Sequence, residues 1–318
     1  LQGGAAVARE VGRERRATRT SSFGVGKRES HDSSEFYSRF VPPTLSRDEE
    51  VATCDVADTL FVGDSRDMVK VPDKSVSLVA TSPPYHASKE YEIDVNAGHV
   101  PTSYMAYLEM LHEVFAECQR VLEPGGRIAV NVANLGRKPF RSLSKDVWVV
   151  LEDLGFLPRG EIVWTKAAGS SGNCAWGSWR SPSNPSLRDL TERVLIASKG
   201  RFDRALHWKV RQQRGLPWES TIGREEFMAW TLDTWDIRAE SAKRIGHPAP
   251  FPVELPARLI QLYTFKGDVV LDPFMGAGTT AVAAVQADRR YVGFDMEEAY
   301  VDLAERRIAS ARKAIDEA

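Results

Sequence analysis

Short apolar runs and helical stripes alternate along most of this chain. Thr59-Leu-Phe-Val-Gly63 and Ser75-Val-Ser-Leu-Val-Ala-Thr81 have strand length and are bounded by turn residues, as strands buried on both faces read. Between Thr102 and Leu122 the apolar residues Leu108, Leu111, Val114, Phe115, Cys118, Val121 and Leu122 form a helical stripe, stopped by Pro124-Gly125-Gly126. Arg127-Ile-Ala-Val-Asn-Val132 predicts the next strand, followed by a helix around 145–154 and a strand ending in Glu161-Ile-Val-Trp164. Beyond residue 246 the spacing predicts a helix over 253–263, a strand over 268–271, a helix over 279–288, a strand over 290–294 and an amphipathic helix over 298–315. This alternation predicts an α/β fold, a doubly wound and mostly parallel sheet with helices on both faces.

Two stretches break the rhythm. Residues 1–50 are rich in Gly, Ser and Arg, lack apolar periodicity and an apolar signal region, and are expected to be a disordered N-terminal tail. Residues 166–246 show one strand-like run, Arg193-Val-Leu-Ile-Ala197, yet hold six of the eight tryptophans. That segment reads as a lobe inserted between a first half, 51–165, and a second half, 247–318. Charge sharpens the division: the total is −2, but 166–246 carries +5 while 51–165 carries −5 and 247–318 carries −3. The composition, 42% hydrophobic and 27% charged over 318 residues, is that of a globular protein. No apolar run has the roughly 18 residues of a membrane span. Three scattered cysteines, Cys54, Cys118 and Cys174, supply neither a disulfide framework nor metal-ligand spacing, so an intracellular protein independent of metal is expected.

The strand Asp268-Val-Val-Leu-Asp272 runs through Pro273-Phe274-Met275 into Gly276-Ala277-Gly278 and directly into a helix at Thr279. Glycines there let the backbone bend tightly and approach a ligand, and the free N–H groups of a helix start favour a negatively charged group. The following strand ends in Asp295, placed to accept hydrogen bonds from ribose hydroxyls. An adenosine-containing cofactor follows. Gly276-x-Gly278-x-x-Ala281 also satisfies the dinucleotide fingerprint, so a nicotinamide oxidoreductase stays open at this point, as does a tight turn without a ligand. Asp272-Pro273 favours a different cofactor, because a carboxylate there would lie near a cationic group.

A second strand, ending at Thr81, leads into Ser82-Pro83-Pro84-Tyr85. Two prolines fix φ and remove donors, which makes a stiff loop offering a hydroxyl, carbonyls and an aromatic face. In an open parallel sheet, ligands bind beyond the carboxyl ends of the strands, so both loops are expected along one rim. Here the chain resembles the amino-methyltransferases of DNA, in the permuted group whose catalytic loop precedes the cofactor loop. The resemblance rests on Ser82-Pro83-Pro84-Tyr85, on Asp272-Pro273-Phe274-x-Gly276-x-Gly278-Thr279, and on His247-Pro248-x-x-Phe251-Pro252-x-x-Leu255, and it covers about residues 58–312.

The resemblance implies S-adenosylmethionine as cofactor, double-stranded DNA as substrate and an exocyclic amino group of a flipped base as target. Ser82, Pro83, Pro84 and Tyr85 would be catalytic. Asp272, Pro273, Phe274, Gly276, Gly278, Thr279, Asp295, Pro248 and Phe251 would line the cofactor, with Asp64 approaching the adenine unless it is a plain turn residue. Ser-Pro-Pro-Tyr goes more often with N4 of cytosine in this family, and Asp-Pro-Pro-Tyr with N6 of adenine. Methylation at C5 of cytosine needs a cysteine nucleophile, usually after proline, and no Pro-Cys pair occurs. The basic segment 166–246 stands where the family carries target recognition. Arg180, Arg188, Arg201, Arg204, Lys209, Arg211 and Arg214 are its candidates for DNA contact, against a solvated basic face. A separate cognate restriction endonuclease and a prokaryotic or phage cytoplasm go with that class, and a non-catalytic DNA-binding module is the alternative to it.

Overall fold

The computed structural model describes residues 43–84, 101, 103–134, 140–166, 177–240 and 251–317. Two compact units divide the chain, Leu1–Thr44 and Leu45–Ala318, and every element named below belongs to the second. Its strands are β1 (Thr59–Val62), β2 (Val76–Thr81), β3 (Leu122–Val132), β4 (Phe156–Thr165), β5 (Thr191–Lys199), β6 (Thr234–Asp236), β7 (Val269–Asp272) and β8 (Arg290–Asp295). The helices among the described residues are α1 (Tyr104–Val121), α2 (Leu143–Asp153), α3 (Trp208–Gln213), α4 (Arg224–Trp230), α5 (Glu254–Tyr263), α6 (Thr279–Gln286) and α7 (Glu298–Asp316).

The eight strands form one sheet in the order β1-β8-β7-β2-β3-β5-β4-β6. The run from β1 to β3 is parallel and β5 is antiparallel to both its neighbours, so the sheet is mostly parallel as the alternation predicts. β2 and β7 are buried at every position, which explains their unbroken apolar runs. Helices α1 and α2 cover one face: Tyr107, Leu111, Phe115 and Cys118 of α1 pack with Leu143, Val147 and Leu151 of α2. Helices α5, α6 and α7 cover the other, with Leu259, Ala283, Ala284 and Ile308 in the core. α1 starts where Ser103 Oγ accepts the Ala106 N–H at 3.1 Å, a capping contact that satisfies an otherwise orphaned donor. No helix among the described residues is long and apolar enough to cross a membrane.

Two expectations change, and the inserted segment takes a definite place. Pro124-Gly125-Gly126 does not separate helix from strand, because β3 begins at Leu122 directly after α1 and takes the three residues in as an irregularity of register. Gly125 has φ +77°, and a Cβ there would lie 1.9 Å from the Asp203 carbonyl oxygen, so the glycine lets the 203–204 backbone lie against the strand. The segment 166–246 supplies β5 to the sheet: five successive residues of the strand are buried, and it is wedged between β3 and β4. Finally, the expected tail 1–50 is too long. Residues 1–42 lie outside the described residues, but the Ser46 N–H donates to Gly200 O at 2.6 Å, and Lys74 forms ion pairs with Asp48 at 2.9 Å and Glu50 at 2.6 Å.

Candidate active site

The connection from β2 through α1 leads to β3 on one side, whereas that from β7 through α6 leads to β8 on the other. The order therefore reverses between β2 and β7, and at such a reversal the loops beyond the two strand ends diverge and leave a crevice. β2 and β7 are parallel neighbours in register, Leu78 opposite Val270 and Val79 opposite Leu271. Ser82-Pro83-Pro84 and the glycine bend thus leave the same rim from adjacent strands.

Asp272 fastens the two loops to each other. Its Oδ1 accepts from Thr81 Oγ1 at 2.7 Å and from the Phe274 N–H at 3.1 Å, and its Oδ2 accepts from Thr280 Oγ1 at 2.7 Å. The side chain is 2% exposed, and burial pushes its pKa up from 3.8 to about 6 against the pull of these donors. Three donors thus hold the Asp272 carboxylate inside the protein, where it latches the two loops together.

Past the latch the backbone turns through Gly276 at φ +50° and Gly278 at φ +72°. A Cβ on Gly278 would meet the Ala304 Cβ of α7 at 2.5 Å, so this glycine is needed for helix packing as well as for the bend. Asp295, at the end of β8, accepts the Gly276 N–H at 2.8 Å and the Glu297 N–H at 2.9 Å, which ties the bend to the neighbouring strand. Arg307 of α7 donates to Ala277 O and, at 3.2 Å, to Thr279 Oγ1. A left-handed backbone that side chains rarely adopt, a helix start behind it and a carboxylate one strand away fit an adenosyl ligand with ribose hydroxyls. Pro273 is buried, Phe274 is half-buried against the α1–α2 core, and Phe251 is half-buried against the opposite core. Asp64 follows β1 on the same rim, but its carboxylate is engaged by Arg66 Nε at 2.8 Å, which holds its pKa below the usual range. Tyr85 and Pro248 lie outside the described residues, as does His247.

On the other side of β2, the Ser82 hydroxyl donates to Asn131 O of β3 at 3.2 Å and receives Asn131 Nδ2 at 3.4 Å. The amide also donates to Glu192 Oε2 of β5 at 2.6 Å, and Glu192 pairs with Lys166 just past β4. Asn131 and Glu192 are buried polar residues that the sequence reading missed. For Asn131 the signal was a polar residue inside the apolar run Ile128-Ala-Val-Asn131-Val132, whereas Glu192 stands ahead of its run, between Thr191 and Arg193, and carries no such signal.

The basic residues divide into two groups. Because β5 runs antiparallel to β3, its first residues lie at the active-site rim, where Thr165 and Thr191 are partners. Arg180 and Arg188, which precede β5, are exposed. Arg180 stacks on Trp179, itself 89% exposed in a turn closed by the Ser181 N–H on Ser178 O at 3.2 Å. Arg201, Arg204, Lys209, Arg211 and Arg214 follow β5 and lie at the foot, the opposite end of the sheet. Arg204 pairs with Glu123 and with Asp268 at 3.0 Å, and Arg211 pairs with the same two residues at 3.3 and 2.8 Å. Arg211 is 1% exposed. The expected DNA role of Arg204 and Arg211 is therefore corrected: they neutralise two carboxylates buried under the sheet. Arg201 donates to Asp48 O at 3.2 Å, and Lys209 lies over the Trp208 ring. Lys209 and Arg214 are exposed, but on and next to the helix that Arg211 anchors to the foot.

A DNA methylase family model matches residues 76–306, which include both loops. Among curated relatives, the type II methyltransferase M.MthZI of Methanothermobacter thermautotrophicus is 31% identical over 283 residues, 81% of this chain and 78% of that protein. Among solved structures, a protein of Thermus thermophilus assigned as a DNA modification methylase, in complex with S-adenosyl-L-methionine, is 31% identical and covers 80% of this chain and 95% of its own, with a TM-score of 0.61. The cytosine-N4-specific PvuII DNA methyltransferase has the same fold, with a TM-score of 0.59 over 84% of this chain and 96% of its own, at 20% identity.

Proposed function

The chain belongs to the DNA methylase family whose members methylate exocyclic amino groups, and from that premise we propose that it methylates N4 of cytosine, with Ser82 and Pro83 as its catalytic residues. S-adenosylmethionine is the methyl donor of this class and supplies an electrophilic methyl on sulfur. The nicotinamide reading of the glycine bend accounts for one loop and leaves Ser82-Pro83-Pro84 unexplained.

The residues of this chain have two tasks. The bend at Gly276–Gly278, with Asp295 and the start of α6, would hold the adenosyl group beside the end of β7. Ser82 and Pro83, one strand away, would meet the base. An exocyclic amino group is a weak nucleophile because its lone pair is delocalised into the ring. Accepting its two hydrogens, one on Ser82 Oγ and one on the Pro83 carbonyl, draws the nitrogen towards a tetrahedral shape and turns the lone pair towards the methyl. Positioning and preorganised acceptors supply the acceleration. Because a stacked base hides this nitrogen, the base must leave the helix first, at a cost of a few kcal/mol.

The observation that carries the proposal is the Ser82 hydroxyl at the reversal point, held on β3 next to the latched glycine bend. The cytosine assignment rests on serine in the position where adenine-directed members more often have aspartate. Mass spectrometry of nucleosides from DNA treated with the protein and S-adenosylmethionine tests it. N4-methylcytosine is expected, and Ser82→Ala should lower kcat by about 100-fold or more, the usual cost of losing one such acceptor or donor at a reacting centre. N6-methyladenine as sole product overturns the base assignment, and absence of any methylated base overturns the activity.

A further inference from the structure

The geometry points to Glu192 as a positioning residue that sets the polarity of the Ser82 hydroxyl through Asn131, so that Ser82 meets the target amino group as an acceptor. This inference rests on the proposed role of Ser82. A serine hydroxyl has one hydrogen and two lone pairs, and nothing in the sequence fixes which it offers a substrate. Here the surroundings decide. The Asn131 backbone carbonyl, 3.2 Å from Ser82 Oγ, can only accept, so it takes the hydroxyl hydrogen. The Asn131 side chain offers either an oxygen or an NH2 group, and its orientation follows from its other partner. That partner is the Glu192 carboxylate at 2.6 Å, which can only accept and so holds the NH2 end inward. The same NH2 then donates to Ser82 Oγ at 3.4 Å. With its one hydrogen directed at a carbonyl, Ser82 can meet a substrate only through a lone pair, which suits an N–H donor.

The Lys166 ammonium, beyond the far end of this chain of contacts, holds the Glu192 carboxylate in place. Four residues, two on strands and two just past strand ends, thus form a line from solvent to the reacting group: Lys166 is 31% exposed at its side chain, Glu192 8%, and Asn131 2% as a residue. A hydrophobic replacement of Glu192 and Asn131 would satisfy packing alone, so the buried polar pair calls for a reason beyond folding. An untethered Asn131 amide could rotate, turn its oxygen to Ser82 and draw the hydroxyl hydrogen away from the backbone carbonyl. That competition is what Glu192 removes.

The test compares Glu192→Gln, which keeps an acceptor for the amide, with Glu192→Met, which keeps volume and removes the acceptor. Single-turnover methyl transfer is measured on saturating DNA, with dissociation constants for S-adenosylmethionine and DNA measured separately. Glu192→Met is expected to transfer at least 10-fold more slowly with both constants within threefold of wild type, and Glu192→Gln, whose amide can hold Asn131 in either orientation, at a rate between that of Glu192→Met and wild type. Asn131→Ala, which breaks the next link, carries the same expectation as Glu192→Met and serves if that variant does not fold. Wild-type transfer by Glu192→Met or Asn131→Ala overturns the inference, and so does parallel loss of cofactor binding and rate in both Glu192 variants, which would mark a structural role. A wild-type protein that methylates nothing overturns the proposed activity instead, which separates the two failures.

Discussion

Asp272 makes a quantitative test of the latch between the two loops. Its carboxyl is raised from 3.8 to about 6 by burial, so the folded protein holds this proton more tightly than the unfolded chain does. The stability associated with this group is fully present below pH 3.8 and is lost as the pH rises through about 6, because burying the ionised form becomes obligatory. A difference of about 2.2 pK units at 1.36 kcal/mol each amounts to about 3 kcal/mol. Asp272→Asn isolates it. The amide oxygen can accept from Thr81 and Phe274 as Oδ1 does, and the NH2 group can donate to Thr280 Oγ1, whose hydrogen has the Ala80 carbonyl at 3.2 Å as an alternative acceptor. Shape and contacts are kept and the titration is gone. Urea unfolding of both proteins at intervals from pH 4 to pH 8 gives the difference in stability, in which the titrations of all other groups cancel. Wild type minus variant should fall by about 2.5 kcal/mol across that range, because the unfolded carboxyl is already more than half ionised at pH 4, with most of the fall complete by pH 6.5. A difference constant within about 0.5 kcal/mol refutes the reasoning, since that is the scatter expected of independent sites.

Two further outcomes follow from the division of the basic residues. Arg211→Met should destabilise the protein by about 3 kcal/mol or more in urea unfolding, because it leaves buried Glu123 and Asp268 to share Arg204 alone, and it should leave the salt dependence of DNA binding unchanged. Arg180→Ala with Arg188→Ala should do the reverse: stability within about 0.5 kcal/mol of wild type, and a slope of log K against log salt that is shallower by about 0.9 for each phosphate the variant no longer neutralises.

The alternating core of the fold was legible because the central parallel strands are buried on both faces, and even the edge strand β1 keeps a short apolar run. Thr59–Gly63, the 75–81 run and the strand at 268–271 all fall on sheet strands. Their common rim followed from chain direction alone, and the reversal between β2 and β7 then determined where two loops about 190 residues apart in sequence would meet. What a one-dimensional reading does not contain is the neighbour on the next strand. Asp272 suggested a charge offered to a ligand, whereas Thr81 and Thr280 consume it. Asn131 and Glu192 drew no reading because their partnership depends on the antiparallel register of β3 with β5, which pairs Asn131 with Val194 two residues from Glu192.

The same limit governs the charges, and it reverses the meaning of the asymmetry along the chain. An excess of +5 in 166–246 between segments of −5 and −3 looks like the footprint of a polyanion. The structure pairs much of it internally. Glu123 and Glu161 from the acidic first half, and Asp268 from the acidic second half, receive Arg204, Arg211 and Arg193 of the basic segment. Opposite excesses in separate segments are what a chain needs if those segments are to meet across a sheet and bury charge without leaving it uncompensated. Before β5, by contrast, Arg180 and Arg188 are exposed, with Arg180 stacked on the projecting Trp179, and it is position in the fold, not the count of positive residues, that separates them from the arginines buried at the foot.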